Sequence, residues 1–193
     1  MAARILDVRT IYTGWSKLLT ATIKLPTGEI VEREIEDHGR GVAVLPYDPE
    51  RRIVMLVRQL RSPRLLAGEE VNMLEAPAGI LDEADPEACA RREALEECGL
   101  RLGVLERIVR AWTMPGVSTE QLDLYLASFS TTDQVAAGGG LDDEQEHIEP
   151  VETTCADLAR LMDSGQLLDL KTLTLALALR LRHPGLFSGC GNP

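Results

Sequence analysis

Between Asp85 and Gly99 the sequence marks both ends of a helix, and this bounded segment constrains the fold more than any other. Asp85 is a favoured N-cap residue, and Pro86 is tolerated at the first helical position. Gly99 suits the left-handed turn that closes many helices. Upstream, Leu18 to Ile35 alternates around Pro26-Thr27-Gly28-Glu29 and predicts a hairpin. Val42 to Pro46 and Ile53 to Arg58 predict two strands joined through the turn-forming Tyr47 to Arg52, with a short strand at Met73 to Ala76. Downstream, Leu105 to Trp112 and Gln121 to Ser128 predict strands separated by Thr113 to Glu120. Ala136 to Gly140 predicts a flexible loop running into the acidic Asp142 to Glu146. Helices are predicted over 155–162, after the Thr153-Thr154 cap, and over 170–181, after Asp169. Thr172 to Leu179 alternates like a strand, but its length and alanines favour the helix. Mixed strands and helices with no internal repeat predict an α+β fold.

The chain's 193 residues fit one compact domain or a closely fused pair. Its formal net charge of -11 would repel a nucleic-acid polymer or an anionic membrane surface. No apolar run is long enough to span a membrane, and the start lacks the apolar stretch of a secretory signal. Cys89, Cys98, Cys155 and Cys190 form no CxxC pair and read as reduced thiols of a cytoplasmic protein. His38, His147 and His183 are too scattered to suggest zinc.

Chemistry concentrates on the bounded helix. Glu93, Glu96 and Glu97 are neighbours on one helical face, a spacing that destabilises an isolated helix unless something neutralises it. Mg²⁺ answers that need, because it takes oxygen ligands from a few carboxylates together with substrate phosphates. Arg92 is placed to pair with Glu96, whereas Arg91 faces elsewhere. The bland alternative is a solvated acidic helix.

Arg92-Glu93-Ala94-Leu95-Glu96-Glu97-Cys98-Gly99-Leu100, with Ala78-Gly79 upstream, resembles a Nudix box. It departs from the usual box by lacking one residue between Gly79 and Arg92, and by having Ala84 or Asp85 where a glutamate is usual. The resemblance implies an α/β/α sandwich and hydrolysis of a nucleoside diphosphate linked to another group, dependent on Mg²⁺, with Mn²⁺ as the alternative ion. It implies that Glu93, Glu97 and the Ala78 carbonyl are metal ligands and that Glu96 is a nearby ligand or supporting carboxylate. Ala78 and Gly79 would also meet substrate.

Val57 to Arg61, Glu75 to Gly79 and Met114-Pro115-Gly116 are similar to the nucleotide-sugar branch of that family. The proline loop accompanies ADP-ribose-type substrates there. Ala137 to Gly140, Asp142 to Glu144 and Asp169 to Thr172 look more like the GDP-mannose members, which ranks GDP-mannose first and ADP-ribose second. The resemblance further implies residues 1–40 as an N-terminal β region serving a homodimer, 41–183 as the Nudix domain and 184–193 as a flexible tail.

Six more site residues are expected, four of them, Glu144, Arg61, Arg33 and Glu34, from the match. Glu144 is carried over as the last metal ligand or the base, against a solvated acidic loop. Arg61 would hold the diphosphate through a bidentate fork, against a surface arginine at a strand edge. Arg33 and Glu34 align with substrate contacts, or are outward residues of an alternating strand. Trp15 would stack on a base, against a buried aromatic. Glu120 would meet substrate or metal-bound water, against a turn carboxylate. Cys89 and Cys98 read as packing residues. The expected reaction is GDP-mannose to GMP and mannose 1-phosphate. Its rivals are ADP-ribose to AMP and ribose 5-phosphate, a non-catalytic nucleotide-sugar sensor, and an acidic protein-interaction module.

Overall fold

The structure, a computed structural model, describes residues 2–82, 84–141 and 147–188. It forms two compact units, Met1–Arg40 with Ala111–Leu122, and Gly41–Arg110 with Asp123–Pro193.

The first unit is built on an antiparallel sheet of β1 (Arg4–Thr13), β2 (Lys17–Lys24) and β3 (Ile30–Asp37), in that order. β2 and β3 are the expected hairpin, with Leu19 opposite Ile35 and Ala21 opposite Arg33. β1 was not anticipated. Its alternation breaks where Ile5-Leu6 and Ile11-Tyr12 stand side by side, and the β1–β2 register shifts at those two places. The segment 111–122 joins this unit through β3. Glu36 donates its N–H to the Val117 carbonyl at 2.8 Å, and the Thr119 hydroxyl donates to Asp37 at 2.6 Å. That hydroxyl is the main cause holding the Asp37 carboxyl below its usual range, with the Gly39 N–H assisting against burial. A boundary at residue 40 therefore misses a returning segment, because ties between residues 82 apart leave no local trace in sequence.

The second unit carries most of β4 (Arg40–Asp48), β8 (Glu106–Trp112) and β9 (Gln121–Ser128), and all of β5 (Ile53–Leu60), β6 (Asn72–Glu75), β7 (Ala78–Ile80) and β10 (Glu149–Thr154). The main path runs β10-β5-β4-β9-β8, with β6 on β5 and β7 on β4. Its helices are α1 (Ser62–Leu66), α2 (Pro86–Cys98), α3 (Cys155–Asp163) and α4 (Leu170–Arg182). β4 and β5 read as unbroken apolar runs because both faces are covered. Val42, Val44, Ile53, Met55 and Val57 pack with Cys89, Ala90, Ala94 and Cys98, small residues that let α2 approach the sheet closely. The alternate positions Ala43, Leu45, Val54 and Leu56 are also fully buried, and the two-residue period sends them to the opposite face. Leu158 of α3 and Leu175 and Leu179 of α4 are fully buried as well. The α+β class expected from sequence is the one observed, and Thr172 to Leu179 is helical.

Two expectations change. Pro184–Phe187 forms a packed 3₁₀ turn with Leu186 and Phe187 buried, so the tail does not begin at Pro184. The Arg52 guanidinium donates to the carbonyls of Gly185 at 2.7 Å and Leu186 at 3.0 Å, which anchors that turn. β10 was also missed; its Pro150 is tolerated because the strand lies at the end of the sheet path. Among the described residues no helix is long and apolar enough to cross a membrane.

Candidate active site

The caps read from sequence place α2 as expected. Asp85 accepts the Glu87 N–H at 3.0 Å, and Gly99 adopts φ 68°, a conformation that disfavours any residue with a Cβ. At the C-terminal end, Gly139 and Gly140 donate their N–H groups to the carbonyls of Glu97 and Glu96 at 2.9 and 3.1 Å. Gln134 Nε2 donates to the Cys98 carbonyl at 2.8 Å. The glycine segment predicted as a flexible loop is thus docked on the box helix as far as Gly140, because those helix-end carbonyls need donors. Asp142 to Glu146, including Glu144, lie outside the described residues.

The inward face of α2 buries Glu93, 9 % exposed, and Glu97, 3 % exposed, alongside its small apolar residues. Buried carboxylates demand polar partners. Glu97 accepts the Ala78 N–H at 3.2 Å, and Glu93 pairs with Arg92 at 3.0 Å. Glu93 also lies against Gly79. A Cβ at that position would fall 2.1 Å from Glu93 Cδ, so the close approach requires glycine. The loop backbone is fixed in turn by β4, where Ala78 faces Ala43 and the Val44 N–H reaches the Pro77 carbonyl at 3.0 Å. The fold thereby brings Ala78, Gly79, Glu93 and Glu97 together from the start of β7 and one helix face.

Arg92 ties the outer edge of this group. It donates to Glu96 at 3.0 Å and Asp82 at 3.2 Å, as well as pairing with Glu93. Burial alone would weaken its charge. The surrounding Glu93, Cys89, Glu96 and Asp82 outweigh that and hold its proton more tightly than usual. Arg91, as expected, points elsewhere, to Glu87 at 3.1 Å and the Gly103 carbonyl at 3.0 Å. Burial, reinforced by Glu97, pushes the Cys98 thiol well above its usual range, which suits packing and not nucleophilic attack.

Among the described residues, no three His, Cys, Asp or Glu side chains converge closely enough to hold a cation by themselves. Two buried carboxylates one helical turn apart, one of them bound to the Ala78 N–H, nevertheless fit the donor set of Mg²⁺, which usually adds water and substrate phosphate oxygens.

A second cluster holds Arg61. Its Nε and Nη2 donate to the two oxygens of buried Glu75 at 2.6 and 2.8 Å, so the fork assigned to a diphosphate is engaged here by a carboxylate. Lys171 also donates to Glu75 and pairs with Asp169 at 3.0 Å. Burial alone would raise the Glu75 pKa, but the Arg61 hydrogen bonds and the Lys171 charge more than offset it, so the carboxyl titrates below its usual range. The Glu75 contact likewise raises the pKa of Arg61. Neither Glu75 nor Lys171 is among the site residues expected from sequence. The signals available were their places in Glu75 to Gly79 and in Asp169 to Thr172.

The remaining expected residues belong to the first unit. Trp15 is 82 % exposed, which removes the buried-aromatic alternative, and its ring stands edge-on to His38 at 5.1 Å. Arg33 and Glu34 are exposed on β3, with Arg33 donating to the Glu32 carbonyl at 2.8 Å. Glu120 accepts from the Thr113 hydroxyl at 2.6 Å, and its backbone N–H donates to Ser118 Oγ at 3.1 Å.

Known proteins resemble this chain in sequence and in fold. Residues 37–169 match the NUDIX domain. The GDP-mannose pyrophosphatase of Cronobacter sakazakii is 37 % identical over 167 residues, covering 85 % of this chain and 86 % of that protein. The GDP-mannose pyrophosphatase of Escherichia coli O1:K1 / APEC is 33 % identical over 168 residues, covering 86 % and 87 %. A crystal structure of an ADP compounds hydrolase shares the fold, with a TM-score of 0.77 at 17 % identity over 96 % of each chain. The domain match spans the β7 loop and the acidic face of α2, and the chain belongs to the Nudix family.

Proposed function

We propose that this protein hydrolyses the diphosphate linkage of a nucleotide sugar with Mg²⁺, GDP-mannose giving GMP and mannose 1-phosphate. The observation that carries the reading is the buried Glu93–Glu97 pair set against Ala78-Gly79. It stands in a chain 33 to 37 % identical to GDP-mannose pyrophosphatases over most of its length. Glu93, Glu97 and the Ala78 carbonyl hold the cation. When bound, the metal draws charge from the diphosphate and lowers the pKa of bound water.

The chain's own residues do the rest. Arg92 fixes Glu93 and Glu96 in orientation, with Glu96 as the supporting carboxylate. Gly79 leaves room for Glu93. Arg61, aligned by Glu75, meets the anionic substrate with those of its five N–H donors that Glu75 does not take. Glu144 is assigned the role of base or last ligand from its position in sequence. Trp15, Arg33, Glu34 and Glu120 are assigned to substrate.

The second reading, ADP-ribose, draws on Met114-Pro115-Gly116. A panel of nucleotide sugars hydrolysed with Mg²⁺ in ¹⁸O-labelled water separates the two and names the phosphorus attacked. Preference for ADP-ribose would replace the GDP-mannose assignment; no cleavage of any member, with binding retained, would favour the sensor.

The protein acts as a homodimer, which is supported by β1. Ile5, Leu6, Val8, Ile11 and Tyr12 are all exposed along that strand, an apolar surface of the kind that marks contacts between proteins. Replacing Ile5 and Ile11 by glutamate should shift the sedimenting species from dimer to monomer. A wild-type protein that sediments as a monomer at micromolar concentration would refute this assembly.

A further inference from the structure

The Ala76-Pro77 link from β6 leads into Ala78, the first residue of β7, whose carbonyl is assigned to the metal. Pro77 has no N–H, so Ala76, Pro77 and Ala78 offer only two backbone donors. One, from Ala78, goes to Glu97 at 3.2 Å. The other, from fully buried Ala76, goes to the hydroxyl of Thr172 at 2.6 Å.

Thr172 is itself fully buried, in the first turn of α4, and 96 residues away in sequence. A threonine hydroxyl has one proton to give, and this one goes to Asp169, the N-cap carboxylate of α4. Asp169 also accepts the Thr172 N–H at 3.0 Å and pairs with Lys171 at 3.0 Å. With its proton directed to Asp169, the hydroxyl keeps its lone pairs for Ala76. The rotor is therefore set by the helix cap, and the loop is set by the rotor.

We propose that Thr172 is a positioning residue for the catalytic loop. It fixes the backbone from Ala76 to Ala78 against the start of α4, and through the Ala78 N–H it fixes the Glu97 carboxylate. A packing role would need only the methyl group and the volume, which valine supplies. The short bond to a buried N–H needs the oxygen. The functional consequence rests on the metal assignment made above, whereas the structural role does not.

The test compares Thr172→Val and Thr172→Ser with wild type in three measurements. These are Mn²⁺ affinity without substrate, kcat and KM for GDP-mannose, and hydrogen exchange of the Ala76 and Ala78 amides in metal-free protein. For valine, Mn²⁺ affinity and kcat should each fall about 10-fold or more, the range found when a metal site's supporting hydrogen bonds are removed. KM should stay near the wild-type value, and Ala76 and Ala78 should exchange faster relative to core amides such as Leu126. Serine should restore all three. Leu158→Ala, which opens the buried side of α3, should lower stability without changing Mn²⁺ affinity. Wild-type Mn²⁺ affinity and wild-type Ala78 exchange in the valine variant would overturn the proposal, as would faster exchange spread equally over the core. If wild type itself binds no Mn²⁺, the metal assignment fails, and exchange at Ala78 still decides the role of Thr172.

Discussion

Glu75→Gln is the sharpest probe of the Arg61 cluster. The carboxylate is buried and serves two cations, Arg61 through a bidentate pair and Lys171 through its ammonium. Removing one member of a buried ion pair costs about 3–5 kcal/mol, because the partner's charge is left uncompensated. Here the lower end applies. Arg61 is 41 % exposed and screened by water, and Lys171, at 13 % exposed, keeps Asp169 as a partner. The expected loss near neutral pH is therefore about 3 kcal/mol, equivalent to roughly 6–12 °C in Tm for a chain of this size.

The pH dependence follows from the sign of the shift. The folded Glu75 carboxyl titrates below its usual value, so its contribution is fully present above the unfolded pKa and disappears as pH falls through the folded one. Urea unfolding of wild type and variant should show the full gap at about pH 7 and a shrinking one below about pH 4.3, the ordinary glutamate value. Equal stability at neutral pH, or a gap that does not change on acidification, would show that the cluster does not hold Glu75 as a buried anion.

Other perturbations test separate parts of the account. Gly79→Ala puts a Cβ 2.1 Å from Glu93 Cδ, and the displaced carboxylate should lower kcat by about 100-fold while circular dichroism shows the fold kept. Wild-type turnover in that variant would break the link between Gly79 and Glu93. Arg52→Ala removes the donors to the Gly185 and Leu186 carbonyls and should cost about 1 kcal/mol, a modest value because Arg52 is exposed. The matching observation is faster proteolysis after residue 183, and an unchanged cleavage rate would count against the anchor. Cys98, buried and with its thiol shifted upward, should resist alkylation at neutral pH until the protein unfolds, as peptide mapping would show.

What was legible in the sequence was what is local. Asp85, Pro86 and Gly99 bound α2 within a residue, because capping acts over one turn. The spacing of Arg92, Glu93, Glu96 and Glu97 put the acids on one face, and the Arg92–Glu96 pair formed as its four-residue offset required. Contacts that join distant segments left no such mark. Sequence assigns the Arg61 fork to a diphosphate, since nothing beside it announces Glu75 or Lys171. Gly138 to Gly140 read as freedom because glycine signals a permissive backbone, while the carbonyls of Glu96 and Glu97 that hold two of these glycines lie more than 40 residues earlier. The tail was placed too early for the same reason, its anchor being Arg52.

Glu93 and Glu97 are the residues proposed to hold the metal on which nucleotide-sugar hydrolysis by this acidic protein depends. The direct measurement is the rate of GDP-mannose cleavage with saturating Mg²⁺ for wild type and for Glu97→Gln, with folding of both confirmed by circular dichroism. Wild type should give GMP and mannose 1-phosphate and no product when the metal is chelated, and the variant should lose roughly 1,000-fold in rate. A folded Glu97→Gln enzyme that turns over at the wild-type rate, or wild-type cleavage that survives chelation, would contradict this role.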